Sequence, residues 1–147
     1  MVRRTQQQRR AEVRARAAAV EALERENGSY NRPPRSDTRA KSWDTPVDDF
    51  NTIRIVTTIW RHDGALVDFV LILQTAGWGG SWRNVALVDC CDGHCHLHPD
   101  DSRHRELRQH LMRLDTVDDV SAAYRLATVT MSDSARRLRD NSESESS

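Results

Sequence analysis

The apolar positions follow the period of β-strands through the middle of the chain and the period of a helix towards its end. Residues 52–62 are rich in β-branched and aromatic side chains, and residues 65–74 are nearly all apolar, which favours two strands. Asp63-Gly64, between them, is typical of a two-residue type I′ hairpin turn. This hairpin predicts four opposed pairs: His62 with Ala65, Trp60 with Val67, Thr58 with Phe69, and Val56 with Leu71.

A second hairpin is predicted by the same signals. Residues 82–91 form a third predicted strand, and Asp92-Gly93 is again a dipeptide that favours a tight turn. Residues 94–98 form a fourth predicted strand, which ends at Pro99 because proline lacks the N–H that a strand ladder needs. The middle of the chain therefore predicts a four-stranded antiparallel β-meander.

Helical patterns flank the predicted strands. Residues 6–27 consist largely of Ala, Glu, Arg and Gln, which favour a helix, and Gly28 is a natural stop. Residues 28–42 contain two prolines and have the composition of a linker. After the fourth strand a short helix is predicted from the spacing of Leu107, Leu111 and Leu114.

The last predicted element is a longer helix over residues 117–138, with Thr116 and Asp119 as its capping residues. The Ser- and Glu-rich residues 141–147 are expected to be disordered. The predicted fold class is therefore α+β, with a core domain over residues 43–140 in which the meander packs against C-terminal helices. A basic helix and linker, residues 1–42, precede that domain.

The net charge of zero hides an uneven distribution of charge. Residues 1–41 carry eleven of the 22 Lys and Arg residues and five of the 22 Asp and Glu residues. A basic arm of this kind is typical of a segment that binds nucleic acid, or of one that lies on its own acidic domain.

The cysteines and the lack of long apolar runs favour a cytoplasmic protein. Cys90, Cys91 and Cys95 are odd in number and clustered, which does not fit a disulfide framework and favours reduced thiols in the core or on a metal ion. No apolar run approaches the ~18 residues that span a bilayer. No apolar segment follows the charged N-terminus, so we expect neither a secretory signal nor a membrane partner.

The second hairpin divides its side chains into two sets with different chemistry. Its turn opposes Cys91 to His94, Cys90 to Cys95, Asp89 to His96, Val88 to Leu97, and Leu87 to His98. Opposed residues project from the same face of a sheet. One face is therefore apolar and belongs to the core, and the other carries these residues: Leu87, Asp89, Cys91, His94, His96 and His98.

Three interpretations of this polar face remain open. Alternate histidines on a strand lie ~6.5 Å apart at the backbone and can converge on one ion, so His94, His96, His98 and Cys91 are candidate ligands of zinc or another divalent metal, with Asp89 as a further ligand. Alternatively, Asp89 orients His96, and His96 and His98 act as general acid and base in phosphodiester cleavage. In the third interpretation the face is polar, solvated and chemically inert, with a hydrogen bond between an aspartate and a histidine.

The residues of this hairpin resemble the signature of TumE-like proteins, small toxins of bacterial toxin–antitoxin systems. That signature has Asp, two variable residues, His-Gly and then His-x-His, and Asp89, Gly93, His96 and His98 match it. Asp92 stands where the pattern prefers histidine, and His94 falls at a variable position. The resemblance implies a toxin that acts on RNA or on the translation apparatus and is held in check by an antitoxin partner.

Two functional hypotheses follow. The first is an RNA-directed, toxin-like hydrolase with Asp89, His96 and His98 as catalytic residues. The second is a non-catalytic binding module, in which the histidines hold a structural metal ion or the basic helix docks onto a partner.

Overall fold

The computed structural model describes residues 5–91, 93–99 and 108–145, without the side chains of residues 20–26, 91 and 143–145. In chain order its helices and strands are α1 (Gln6–Glu26), β1 (Arg39–Pro46), β2 (Ile53–His62), β3 (Ala65–Ala76), β4 (Trp82–Cys91), β5 (His94–His98), β6 (Gln109–Arg113) and α2 (Val117–Glu145). In these residues the six strands form one antiparallel sheet in sequence order, so the α+β class and the meander are confirmed. No helix within the described ranges is long and apolar enough to cross a membrane.

The prediction of four strands is wrong, and the first strand that it missed is β1. This strand pairs with β2 at the edge of the sheet, so the sheet begins at Arg39, within residues that were predicted to be a linker. Every side chain of β1 except the half-buried Trp43 is exposed. An edge strand that buries only one side chain shows no alternation of apolar and polar residues. The sequence of β1 therefore could not be distinguished from a linker.

The second missed strand is β6, where the sequence predicted a short helix. Residues 109–113 pair with β5, and Leu111 and Met112 both pack against the core despite being adjacent in sequence. An irregularity in the ladder, opposite Cys95 and His96, accounts for this break in alternation. Pairing with β5 thus makes this segment a strand despite its helical spacing of leucines. Leu107, the first of those leucines, lies outside the described residues.

Helix α2 covers one face of the sheet and encloses the hydrophobic core. Its buried stripe, at most 1% exposed, follows the spacing of a helix that turns one face to the sheet: Val120, Ala123, Ala127, Met131 and Ala135. The predicted cap is also present, since the Asp119 amide donates to Thr116 Oγ1 and the Thr116 amide donates to Asp119 Oδ2. The helix continues to Glu145, so residues 141–145 are helical where a disordered tail was expected.

The first hairpin has its predicted turn, but most of its predicted pairs are wrong. Asp63 and Gly64 both have positive φ, as a type I′ turn requires, and His62 pairs with Ala65. A bulge then leaves Val67 without a partner, so Trp60 lies opposite Asp68, Thr58 opposite Val70 and Val56 opposite Ile72. One inserted residue shifts all later pairs by one.

Residues 28–37, which we call the strap, bind tightly to the domain although their composition is that of a linker. The Gly28 amide donates to Gly93 O at 2.7 Å, and the Tyr30 amide donates to Leu114 O at 3.1 Å. Tyr30 Oη donates to Val67 O at 2.6 Å. These bonds connect the strap to β3, to the β4–β5 turn and to the end of β6, which places α1 beside β6.

Candidate metal centre

The β4–β5 hairpin has the register that the sequence predicted. Its five rungs are Leu87 with His98, Val88 with Leu97, Asp89 with His96, Cys90 with Cys95, and Cys91 with His94. The side chains of Val88, Cys90, Cys95 and Leu97 are buried in the core beneath α2, as expected. The opposite face therefore brings Asp89, His96 and His98 together.

These three residues, which we call the Asp–His cluster, converge on one point. Each offers one ligand atom within 4.8 Å of the other two. His96 Nε2 lies 2.8 Å from Asp89 Oδ1, and His98 Nε2 lies 3.5 Å from the same oxygen. The two imidazole rings are 4.5 Å apart between centroids and nearly perpendicular.

The Asp–His cluster has a buried inner side and a partly exposed outer side. The side chain of His96 is 3% exposed, whereas those of His98 and Asp89 are 19% and 30% exposed. His94, the next residue on the same face, is also buried. The interpretation of this face as solvated is therefore wrong at His94 and His96, whereas the hydrogen bond between Asp89 and a histidine that it included is present.

Electrostatic interactions favour the ionised form of Asp89. Burial by itself would raise the pKa of Asp89, but the hydrogen bond and charge of His96, together with those of His98, outweigh it and hold the pKa below its ordinary value. Among the described residues Nδ1 of the buried His96 has no hydrogen-bond partner. The His96 atom that lies against Asp89 is the other ring nitrogen, Nε2.

The other residues near the cluster lie around it rather than within it. The His94 ring is 4.8 Å from that of His96 between centroids, but His94 does not belong to the group of three convergent ligand atoms. Cys91 pairs with His94 through its backbone, and its side chain is outside those described. His110 was not predicted as a site residue; β6 brings it opposite His96, with its ring 6.1 Å from that of His94 between centroids.

The separations within the cluster can be compared with those expected of a zinc site and of an acid–base pair. Zinc binds imidazole nitrogen and carboxylate oxygen at about 2.0–2.2 Å, so its tetrahedral ligands lie roughly 3.4 Å from one another. The distances of 2.8 and 3.5 Å around Asp89 Oδ1 lie on either side of that value. In phosphodiester cleavage one group accepts a proton while another donates one across the phosphate, whereas both imidazoles here approach a single oxygen.

The fold and the cluster together define an α+β protein with an Asp/His set of metal-ligating type on the face of its sheet away from α2. Comparison of the chain with protein-family models, curated proteins and solved structures finds no match. The resemblance to TumE-like proteins remains a prediction based on the four motif residues.

Proposed function

We propose that the protein binds one divalent transition-metal ion through Asp89, His96 and His98. The observation that supports this most directly is the convergence of two imidazole nitrogens on one carboxylate oxygen, at 2.8 and 3.5 Å. An ion at that point would be bound by two imidazole nitrogens and one carboxylate oxygen. It would also offset the cost of burying His96, which is large for a polar group without enough partners.

The chemistry of the ligands selects the class of metal. Magnesium and calcium prefer oxygen ligands and six or more of them, whereas this cluster offers two nitrogens and a carboxylate. Imidazole suits zinc and its neighbours in the transition series, and two histidines with one carboxylate are an established ligand set for zinc. Zinc is therefore the metal for which we expect the strongest retention through purification.

The test is the metal content of untagged protein, measured by elemental mass spectrometry. We expect about one zinc ion per chain in the wild type and less than a tenth of that in His96→Ala and His98→Ala. His62→Ala is the matched control, because His62 is exposed and interacts with Asp63 and the carbonyl of Asp37, away from the cluster. It should retain the wild-type zinc content.

A second measurement tests the site even if the metal is lost during purification. Apo protein is titrated with cobalt(II), whose visible absorption distinguishes tetrahedral coordination from the octahedral aquo ion. An intense absorption that saturates at one equivalent and disappears in His96→Ala would support the site. Equal cobalt affinity in the wild type and His96→Ala would overturn the proposal.

A catalytic role is the second candidate, and the exposed outer side of the cluster favours it. Three protein ligands with one solvent-facing position are the usual arrangement of catalytic zinc, which lowers the pKa of a bound water to about 7. In this candidate the protein is an RNA-directed, toxin-like hydrolase in which Asp89 and His98 face the substrate. An antitoxin-like protein would then be its natural partner.

Helix α1 provides the charge that an RNA substrate would require. Residues 6–19 of this helix are exposed throughout. Their charged residues are Arg9, Arg10, Arg14 and Arg16 against the single acid Glu12. Arginines along an exposed helix neutralise phosphates and release counterions, so we expect RNA binding that weakens steeply with salt.

The catalytic candidate is tested by expressing the protein in bacteria and by incubating it with RNA. Growth inhibition and RNA cleavage by the wild type and His62→Ala, but not by folded His96→Ala, would support a hydrolase. If zinc binds but neither assay responds, the ion is structural, and chelation should lower the melting temperature. If zinc is absent and His96→Ala has no effect, the cluster is inert.

A further inference from the structure

Two cysteines lie directly opposite each other on the core face of the β4–β5 hairpin. Cys90 and Cys95 are both free thiols in the structure, and both are buried. Residues opposed on neighbouring strands project from the same face with their Cβ atoms about 5 Å apart, so the two thiols face each other. This pair plays no part in the Asp–His cluster, which projects from the other face.

The position of the pair along the ladder suits a covalent bond. In a hairpin with a two-residue turn, the pair of residues next to the turn is a hydrogen-bonded pair, and hydrogen-bonded and non-hydrogen-bonded pairs alternate from there. Cys91 and His94 form the pair next to the turn, so Cys90 with Cys95 is a non-hydrogen-bonded pair. Opposed Cα atoms in such a pair are about 4.5 Å apart, the shortest spacing in an antiparallel ladder. Disulfides form at Cα separations of about 4.4–6.8 Å, so the backbone needs no large movement.

We propose that Cys90 and Cys95 form a reversible intrachain disulfide when the protein meets a small-molecule disulfide such as oxidised glutathione. One cysteine attacks the glutathione disulfide and releases one reduced glutathione, which leaves a mixed disulfide on the protein. The second cysteine then attacks the protein sulfur of that mixed disulfide and releases a second reduced glutathione. Two electrons pass from the cysteines to the oxidant, and the two thiol protons end on the released glutathiones.

Burial determines how fast this reaction proceeds. Cys95 is 0% exposed and Cys90 is 7% exposed, so a reagent reaches them when the hairpin opens at its turn. We therefore expect oxidation over hours in buffer and a several-fold faster reaction at a urea concentration below the unfolding transition. Once formed, the bond fixes the rung adjacent to Asp89 and His96.

The test is incubation of reduced protein with oxidised and reduced glutathione, followed by alkylation of free thiols and intact-mass measurement. We expect one free thiol per chain after oxidation, with fragmentation of the wild-type peptide locating the bond between Cys90 and Cys95. Cys91→Ser is the matched control and should oxidise like the wild type. Cys90→Ser and Cys95→Ser should lose the intrachain bond.

The outcome is independent of metal binding. Apo His96→Ala should still form the bond, because the thiols lie on the opposite face from the Asp–His cluster. A bond from Cys91 to either other cysteine, a lasting mixed disulfide at Cys90 or Cys95, or three free thiols after prolonged oxidation in sub-denaturing urea would each overturn the proposal. The wild-type peptide decides the matter even if a serine variant fails to fold.

Discussion

The buried carboxylate of Asp68 allows a quantitative test of how the strap is held against the domain. Its side chain is 2% exposed, and Oδ2 accepts from Nη1 of Arg32 at 3.0 Å and of Arg35 at 2.6 Å. Oδ1 accepts from the Phe69 amide at 2.8 Å. Arg35 also stacks on Trp60, with 3.6 Å between its guanidinium carbon and the ring centroid. The carboxylate is therefore buried, whereas the two arginine side chains that bind it are about half exposed.

This asymmetry predicts that removing the Asp68 charge and removing the two arginines lower the free energy of unfolding by different amounts. Asp68→Asn removes the buried charge but keeps the shape, and the freed arginines regain water. A hydrogen bond to a charged group contributes ~1.5–3 kcal/mol, and the exposure of the arginines reduces this, so we expect a loss of about 2 kcal/mol in the free energy of unfolding. Replacing Arg32 and Arg35 together by alanine leaves the carboxylate buried without a cation, which costs about 3–5 kcal/mol.

Urea denaturation followed by circular dichroism measures both values. Asp44→Asn is the matched control, because Asp44 pairs with Arg54 at 3.1 Å on the same sheet but is 55% exposed, and its loss should cost less than about 1 kcal/mol. If the double arginine variant is as stable as Asp68→Asn or more so, the carboxylate is not held in a low-dielectric site. The electrostatic contribution that we assign to the two arginines of the strap would then be wrong.

Two further predictions concern the Gly93 turn and the cap of α2. Gly93→Ala should cost about 2 kcal/mol more than Gly64→Ala. Both glycines have similar positive φ, but a Cβ at Gly93 would overlap the carbonyl of Gly28, whereas the space at Gly64 is open. Equal urea midpoints for the two variants would show that the strap does not contact this turn closely. Hydrogen bonds from the amides of Asp115 and Thr116 hold the pKa of Asp119 below its ordinary 3.8. A carboxylate whose pKa is lower in the folded than in the unfolded state stabilises the fold at pH values above the unfolded-state pKa, and this contribution is lost as the pH falls through the folded-state pKa. The free energy of unfolding should therefore decline below pH 3.8, and the decline should be smaller in Asp119→Asn.

The sequence predicted the Asp–His cluster because every contact in it is local. The turn between Cys91 and His94 sets the register of the hairpin, and each rung then follows by counting. Asp89 and His96 meet across a loop of a few residues, so no distant part of the chain decides their pairing. The long C-terminal helix was predicted for the same reason, since helical spacing is a property of one segment.

The features that the sequence could not predict depend on distant contacts. Asp68 meets Arg32 across 36 positions of sequence, and a bulge at Val67 decides that Asp68 lies opposite Trp60. A bulge is an insertion in a ladder, and it leaves no periodic signal in a strand whose residues are nearly all apolar. Strand β6, and with it His110, forms because β5 provides a partner for it, which local propensity does not record.

The β4–β5 hairpin connects the two proposals through a single structural fact, its register. Side chains alternate between faces, so the same counting that places Asp89 and His96 on the open face places Cys90 and Cys95 in the core. A slip of one residue would bury the charge of Asp89 under α2 and expose the thiols, and both changes would destabilise the fold. Metal retention and disulfide mapping therefore test this register from opposite faces of the sheet. Zinc retention that depends on His96, or a disulfide between Cys90 and Cys95, would each confirm the register and therefore the positions of the side chains on the opposite face. Metal binding and disulfide formation themselves are each tested by their own measurement.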